Sequence, residues 1–158
     1  MATRSPDRRG VSVVATVALI ALGAGCSSDE EQTPEACLVS SDEYLLALEA
    51  APAEVRLDGT PISECLTPSQ EGGQLARVGE QMILVATELN AEARRDPSGG
   101  AALRLGYLIG AITEGADAIH ADLVRRLNSA ANFSPDQLQP TEFQRDFGRG
   151  FAAGQESG

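Results

Sequence analysis

The stretch AALRLGYLIGAITEGADAIHADLVRRLNS, Ala101–Ser129, decides the fold. Leu105, Ile109, Ile112, Ala116, Ile119, Leu123 and Leu127 recur at steps of three and four, which places them on one face of an α-helix. No proline interrupts them, and the spacing predicts a single helix over 101–129. Asp122 and Arg126 then form an i,i+4 pair on its outer face. Gly106 and Gly110 lie one turn apart inside it, and each glycine costs about 1 kcal/mol against alanine in a helix interior. Two small residues on one face let a second backbone approach closely, within the chain or, as the alternative, across a homodimer seam. The flanking Arg104, Glu114 and Asp117 exclude a membrane span.

A second apolar stripe precedes it. Leu75, Val78, Met82, Val85 and Leu89 keep helical spacing after the start signal Thr67-Pro68-Ser69-Gln70. Gly72 and Gly73 weaken the first turns. Arg94 and Arg95 suit the negative end of the helix dipole, and Asp96-Pro97-Ser98-Gly99-Gly100 ends it. A link this short makes the two helices antiparallel neighbours.

Shorter elements flank this hairpin. Ser40 and Glu43 have capping-box spacing ahead of a helix over about 41–51, which stops before Pro52. Val55-Arg56-Leu57 followed by Asp58-Gly59-Thr60-Pro61 reads as a small hairpin or an irregular loop. Ser134-Pro135-Asp136-Gln137 gives at most one turn before Pro140. A last helix, from about Thr141 to Gly154, carries Phe143, Phe147 and Phe151 at steps of four. That stripe is either a lid on the hairpin or a face that meets a partner, since aromatic residues concentrate at interfaces.

The expected fold class is therefore all-α: a small helical bundle built on a long antiparallel helix hairpin, with short N-terminal and C-terminal helices. The composition agrees. Hydrophobic residues make up 42% of 158, but aromatics only 4%, so the core is aliphatic and suits closely packed helices. The net charge is −11; residues 1–25 hold Arg4, Arg8 and Arg9 against Asp7, so the remainder carries −13. Such a surface repels phosphates and argues against nucleic acid as a partner.

The N-terminus has its own organisation. Arg8 and Arg9 precede an apolar run from Val11 to Leu22, then Gly23, Ala24, Gly25 and Cys26. A positive end, a short apolar segment and a small-residue exit form a secretory signal pattern, too short to span a bilayer. Over residues 1–26 the chain resembles bacterial lipoprotein precursors, carried by Leu22-Gly23-Ala24-Gly25-Cys26. The resemblance implies a diacylglycerol on the sulfur of Cys26, cleavage before it, and a membrane anchor. It departs from that family three places before the cysteine, where Gly23 stands instead of a branched apolar residue. Gly23 and Gly25 also satisfy an ordinary secretory peptidase, whose cut would release a free, secreted protein. The expected organisation is a signal peptide over 1–25, a lipidated cysteine and acidic tether over 26–36, and a helical domain over 37–158. A tether of about ten residues spans roughly 17–19 Å.

Three cysteines occur, Cys26, Cys37 and Cys65, and an odd number in an exported protein needs an explanation. With Cys26 lipidated, Cys37 and Cys65 are left to form one disulfide in an oxidising compartment. Their spacing is not Cys-x-x-Cys and no histidine lies nearby in sequence, so a structural link is expected rather than a redox or metal pair.

His120 is the only histidine. Glu114, Asp117 and His120 are three apart and share part of a helix face, as in the Glu-x-x-His pairs of di-iron bundles. Those sites need a second histidine and more carboxylates, so no metal or cofactor is expected here; His120 is expected on the polar surface, solvated or hydrogen-bonded. No nucleophile sits on a recognisable turn, and Gly99-Gly100 lacks the lysine of a phosphate loop, so no catalytic residue is expected. The functional expectation is a lipid-anchored interaction or scaffold module meeting a protein of the cell envelope. The alternatives are a carrier of a small apolar ligand between the helices and, remotely, an enzyme or metal site at His120.

Overall fold

The computed structural model describes residues 32–132 and 140–158. Five α-helices are found among these residues: α1 (Ser41–Ala47), α2 (Gly72–Arg95), α3 (Ala101–Gly115), α4 (Ala121–Ala131) and α5 (Thr141–Ser157). A two-residue antiparallel pair, β1 (Arg56–Leu57) and β2 (Thr60–Pro61), lies between α1 and α2. The fold is an all-α bundle, as expected.

Local chemistry accounts for the ends of these elements. The Glu43 carboxylate accepts hydrogen bonds from the Ser40 amide and hydroxyl, both at 2.9 Å, and sets the start of α1. In the β1–β2 turn Asp58 and Gly59 both have positive φ, 44° and 86°, the backbone of a tight primed turn. The segment is a hairpin rather than an irregular loop. Helix α2 begins later than its start signal suggests. Its cap is Glu71, whose carboxylate accepts from the amides of Gly73 (2.8 Å) and Gln74 (2.9 Å). Thr67–Gln70 makes a separate turn instead, because the Gln70 side chain is drawn into the interior.

The largest departure lies in 101–129, where the expected single helix is two. Helix α3 stops at Gly115, and Ala116 and Asp117 are extended. Asp117 then caps a short turn, Ala118–His120, accepting from the Ile119 amide at 3.0 Å, and α4 follows. Gly115 is where the helix end meets the backbone of Ser63; a Cβ there would overlap it. The break takes Ile119 out of the apolar stripe, leaving it 46% exposed. On the outer face of α4, Asp122 bonds Arg125, at i,i+3, rather than Arg126.

Helices α2 and α3 form the expected hairpin, with Arg104 near the start of α3 bonded to Glu92 near the end of α2 at 3.0 Å. Gly79 of α2 lies against Leu123 of α4, and Asn90 donates to the carbonyls of Ala130 and Asn132, so α2 and α4 run parallel. The most intimate pairing is α3 with α5. Cβ atoms at Gly106 and Gly110 would run into the backbone of Phe147–Phe151 and Phe151–Gln155, and Cβ atoms at Gly150 and Gly154 into that of Leu103–Tyr107 and Tyr107–Ala111. Numbers rise together on both sides, so these two helices are parallel as well. The bundle runs up, down, up, down.

Tyr107 sits in the middle of α3, fully buried. Its hydroxyl accepts from the Val55 amide at 2.9 Å and contacts the Ser157 carbonyl at 3.1 Å, tying α3 to the hairpin entry and the end of α5. Tyr107→Phe is expected to lower stability by about 1–3 kcal/mol, because the buried Val55 amide loses its acceptor. Urea denaturation measures this, and an unchanged midpoint contradicts it.

The Cys37–Cys65 disulfide is formed, with Cα atoms 5.5 Å apart across a sequence separation of 28. Both cysteines are buried, and the Tyr44 hydroxyl donates to the Cys37 carbonyl at 2.9 Å. The bond joins the segment before α1 to the turn before α2.

Candidate functional site

Where the chain enters the domain, four segments meet in a buried polar cluster. The Thr33 amide donates to Gln74 Oε1 at 2.9 Å. Gln70 Nε2 donates to Thr33 Oγ1 at 2.5 Å and to the Cys65 carbonyl at 3.0 Å. Gln70 Oε1 lies 3.3 Å from His120 Nε2. On the other side of the ring, the Asp117 amide donates to His120 Nδ1 at 3.0 Å.

These partners assign the tautomer. An amide that donates to Nδ1 requires a lone pair there, so the neutral ring carries its proton on Nε2 and donates it to Gln70. His120 is fully buried and hydrogen-bonded, not on the surface as its polar neighbours in sequence suggested. The α3–α4 break is the cause, since it turns the residue inward as the last of the Ala118–His120 turn.

Burial holds the His120 pKa below the usual 6.5; the Asp117 carboxylate, 3.1 Å from Nδ1, acts in the opposite sense. The unfolded chain therefore takes up the proton first as pH falls. Stability from this group is complete above the unfolded value of about 6.5 and is lost as pH drops through the lower native one. Glu43 and Glu71 lie below their ordinary 4.5 because backbone amides bond their carboxylates, and they add a further loss in more acidic solution. The urea midpoint is expected to fall as pH drops below the unfolded histidine value of about 6.5, in the interval ahead of the carboxylate range. His120→Gln is expected to flatten that first step. A midpoint constant across this interval contradicts the assignment.

The candidate metal residues are only partly brought together. Asp117 and His120 meet, but Glu114 is exposed near the end of α3, and both ring nitrogens are already hydrogen-bonded. Among the described residues no group of three or more His, Cys, Asp or Glu side chains is placed to hold a metal ion.

The candidate interaction residues divide. Gly106 and Gly110 are covered by the backbone of α5, so the close approach is made within the chain. Phe143 is buried, whereas Phe147 and Phe151 are half-buried; their rings follow one another with centroids 5.8 and 6.4 Å apart. The side chains Leu46, Leu84 and Ile119 are 68%, 49% and 46% exposed. Leu46 borders a groove of about 270 Å³ with Ala36, Val39 and Leu57, flanked by Glu43 and Arg56. Ile119 borders one of about 200 Å³ with Leu75, Gly79 and Leu123. Neither Leu46 nor Ile119 is a candidate by sequence, where Ile119 belongs to the apolar stripe of the expected long helix. Exposure of Leu46 was readable from its place beside Leu45 on a short helix, whereas that of Ile119 depends on the break after Gly115.

Cys26 and the leader lie outside the described residues, as does Ser134–Gln137. Among the described residues no helix is long and apolar enough to cross a membrane. Compared with known protein families, curated proteins and solved structures, the chain has no significant match.

Proposed function

We propose that this chain is an exported protein anchored through lipid on Cys26, which holds an acidic helical domain at the extracytoplasmic face of a bacterial membrane as an interaction module. One observation carries the reading. Cys37 pairs with Cys65, the kind of bond that persists in oxidising compartments, so the unpaired cysteine is the one at the exit of the apolar leader. Two acyl chains supply what stable anchoring requires, and the net negative charge disfavours holding an anionic surface by electrostatics alone.

Interaction is preferred to ligand carriage because the aliphatic stripe is consumed by packing. Leu105, Ile109, Ile112 and Leu127 are in the core, and exposed Leu46 and Ile119 border surface grooves rather than an enclosed cavity. The partner is expected to be another protein of the envelope.

Mass spectrometry of the N-terminal peptide from membrane-extracted protein tests the anchor. A diacylated Cys26 is expected, and Cys26→Ala is expected to shift the protein from the membrane to the soluble fraction. An unmodified Cys26 in membrane-extracted protein refutes lipidation.

A further inference from the structure

The joint between α3 and α4 contains a conflict that a proton on one ring nitrogen resolves. Neutral His120 Nδ1 accepts from the Asp117 amide at 3.0 Å, and Asp117 Oδ1 stands 3.1 Å from the same nitrogen. The lone pair suits the amide and opposes the carboxylate. A proton on Nδ1 reverses both preferences. We propose that His120 is a two-position latch on this joint. Neutral, it takes the Asp117 amide and holds the joint closed; protonated, it donates from Nδ1 to the Asp117 carboxylate and releases the amide.

The bookkeeping is local. A solvent proton adds to the Nδ1 lone pair, the amide bond to that nitrogen is lost, and one charge-assisted bond to Asp117 forms. The Nε2 proton is unaffected, so the bonds through Gln70 to Thr33 and Cys65 remain. The ring is faced by Asp117 from the joint and by uncharged Gln70 from the segment before α2; among the described residues, Asp117 is the charged side chain that acts on it. Asp117 Oδ1, already 3.1 Å from Nδ1, also accepts the Ile119 amide, so a full bond from the ring divides that oxygen between two donors and weakens the cap of the Ala118–His120 turn. The loosening is confined to Ala116–Ile119, and it frees half-exposed Ile119 at the edge of its groove. Burial keeps the latch closed in neutral solution. The inference does not depend on the anchor at Cys26.

Nuclear magnetic resonance of the isotopically labelled full chain tests it. At neutral pH a scalar coupling is expected across the Asp117 N–H···Nδ1 bond. As the ring titrates, that coupling disappears, and the amides of 116–119 gain motion with the same midpoint, while the Gln70 side-chain amide keeps its signal. Asp117→Asn retains a capping residue but removes the carboxylate, so it is expected to move the midpoint to lower pH. A coupling that survives ring protonation overturns the latch. So does a joint that stays rigid through the titration, a midpoint unmoved in Asp117→Asn, or a ring that stays neutral until the domain unfolds.

Discussion

Gly106→Ala and Gly150→Ala are each expected to destabilise the domain by about 1–3 kcal/mol, although alanine is the better helix former by about 1 kcal/mol. The added methyl group has no space. At Gly106 it would meet the carbonyl of Phe147 and stand 2.9 Å from the Phe151 amide nitrogen; at Gly150 it would meet the carbonyl of Leu103 and stand 2.9 Å from the Tyr107 amide nitrogen. These are backbone atoms, which no rotamer change can move aside, so α5 must shift as a body along α3. Gly148 is the internal control. It lies in α5, exposed, with nothing near the place a Cβ would occupy. Gly148→Ala is expected to stabilise by about 0.5–1 kcal/mol through helix propensity alone. Opposite signs from the same substitution in one helix distinguish close packing from propensity. Urea denaturation of the three variants measures the difference, and a stabilised Gly106→Ala contradicts the packing.

Removing the disulfide is expected to have the larger effect. Cys37→Ala/Cys65→Ala opens a cross-link whose ends are 28 residues apart, worth about 3–4 kcal/mol in the chain-entropy view. For a domain with a typical total of about 5–15 kcal/mol, that loss is a large fraction. Among the described residues it falls on the part with the least regular structure: α1, the β1–β2 hairpin and the turns around Cys37 and Cys65. Helices α3 and α5 hold one another without it. The double variant is therefore expected to lose amide protection first around 35–66, with the glycine contact persisting to higher denaturant. Hydrogen exchange by residue checks this. Uniform loss of protection across all five helices contradicts it.

Periodicity carried α2 and most of α3, because a buried helix face repeats whatever it packs against. It failed at Gly115 for the same reason. Ile112, Ala116, Ile119 and Leu123 continue the stripe through the break, and a periodic pattern has no means of marking a new cap placed inside it. Two local signals were present: a glycine without purpose at Gly115, and Asp117 set three residues ahead of His120, the spacing of a cap and its reciprocal partner. Gly150 and Gly154 repeat the spacing of Gly106 and Gly110 and lie on the same side of the helix as Phe143 and Phe147, so the aromatic stripe masks the small-residue contact. The polar cluster was not legible. Gln70 and His120 are 50 residues apart, and only the folded chain brings them together. Read locally, Gln70 belongs to a helix start and His120 to an exposed helix face; both readings are plausible alone and both give way to burial.

The parallel contact between α3 and α5 has a kinetic consequence. Antiparallel neighbours such as α2 and α3 need only a short link to meet, but Gly106 and Gly150 are more than forty residues apart in the chain. All of α4 must be laid down between them before the two glycine faces can meet. Loop closure over that distance comes at an entropic cost that no early local contact offsets. The α2–α3 hairpin is thus expected to form the nucleus, and α5 to dock late. Substitutions at Gly150 and Gly154 should then speed unfolding while leaving the folding rate nearly unchanged. The last helix closes the structure, and its departure is the first step in taking the structure apart.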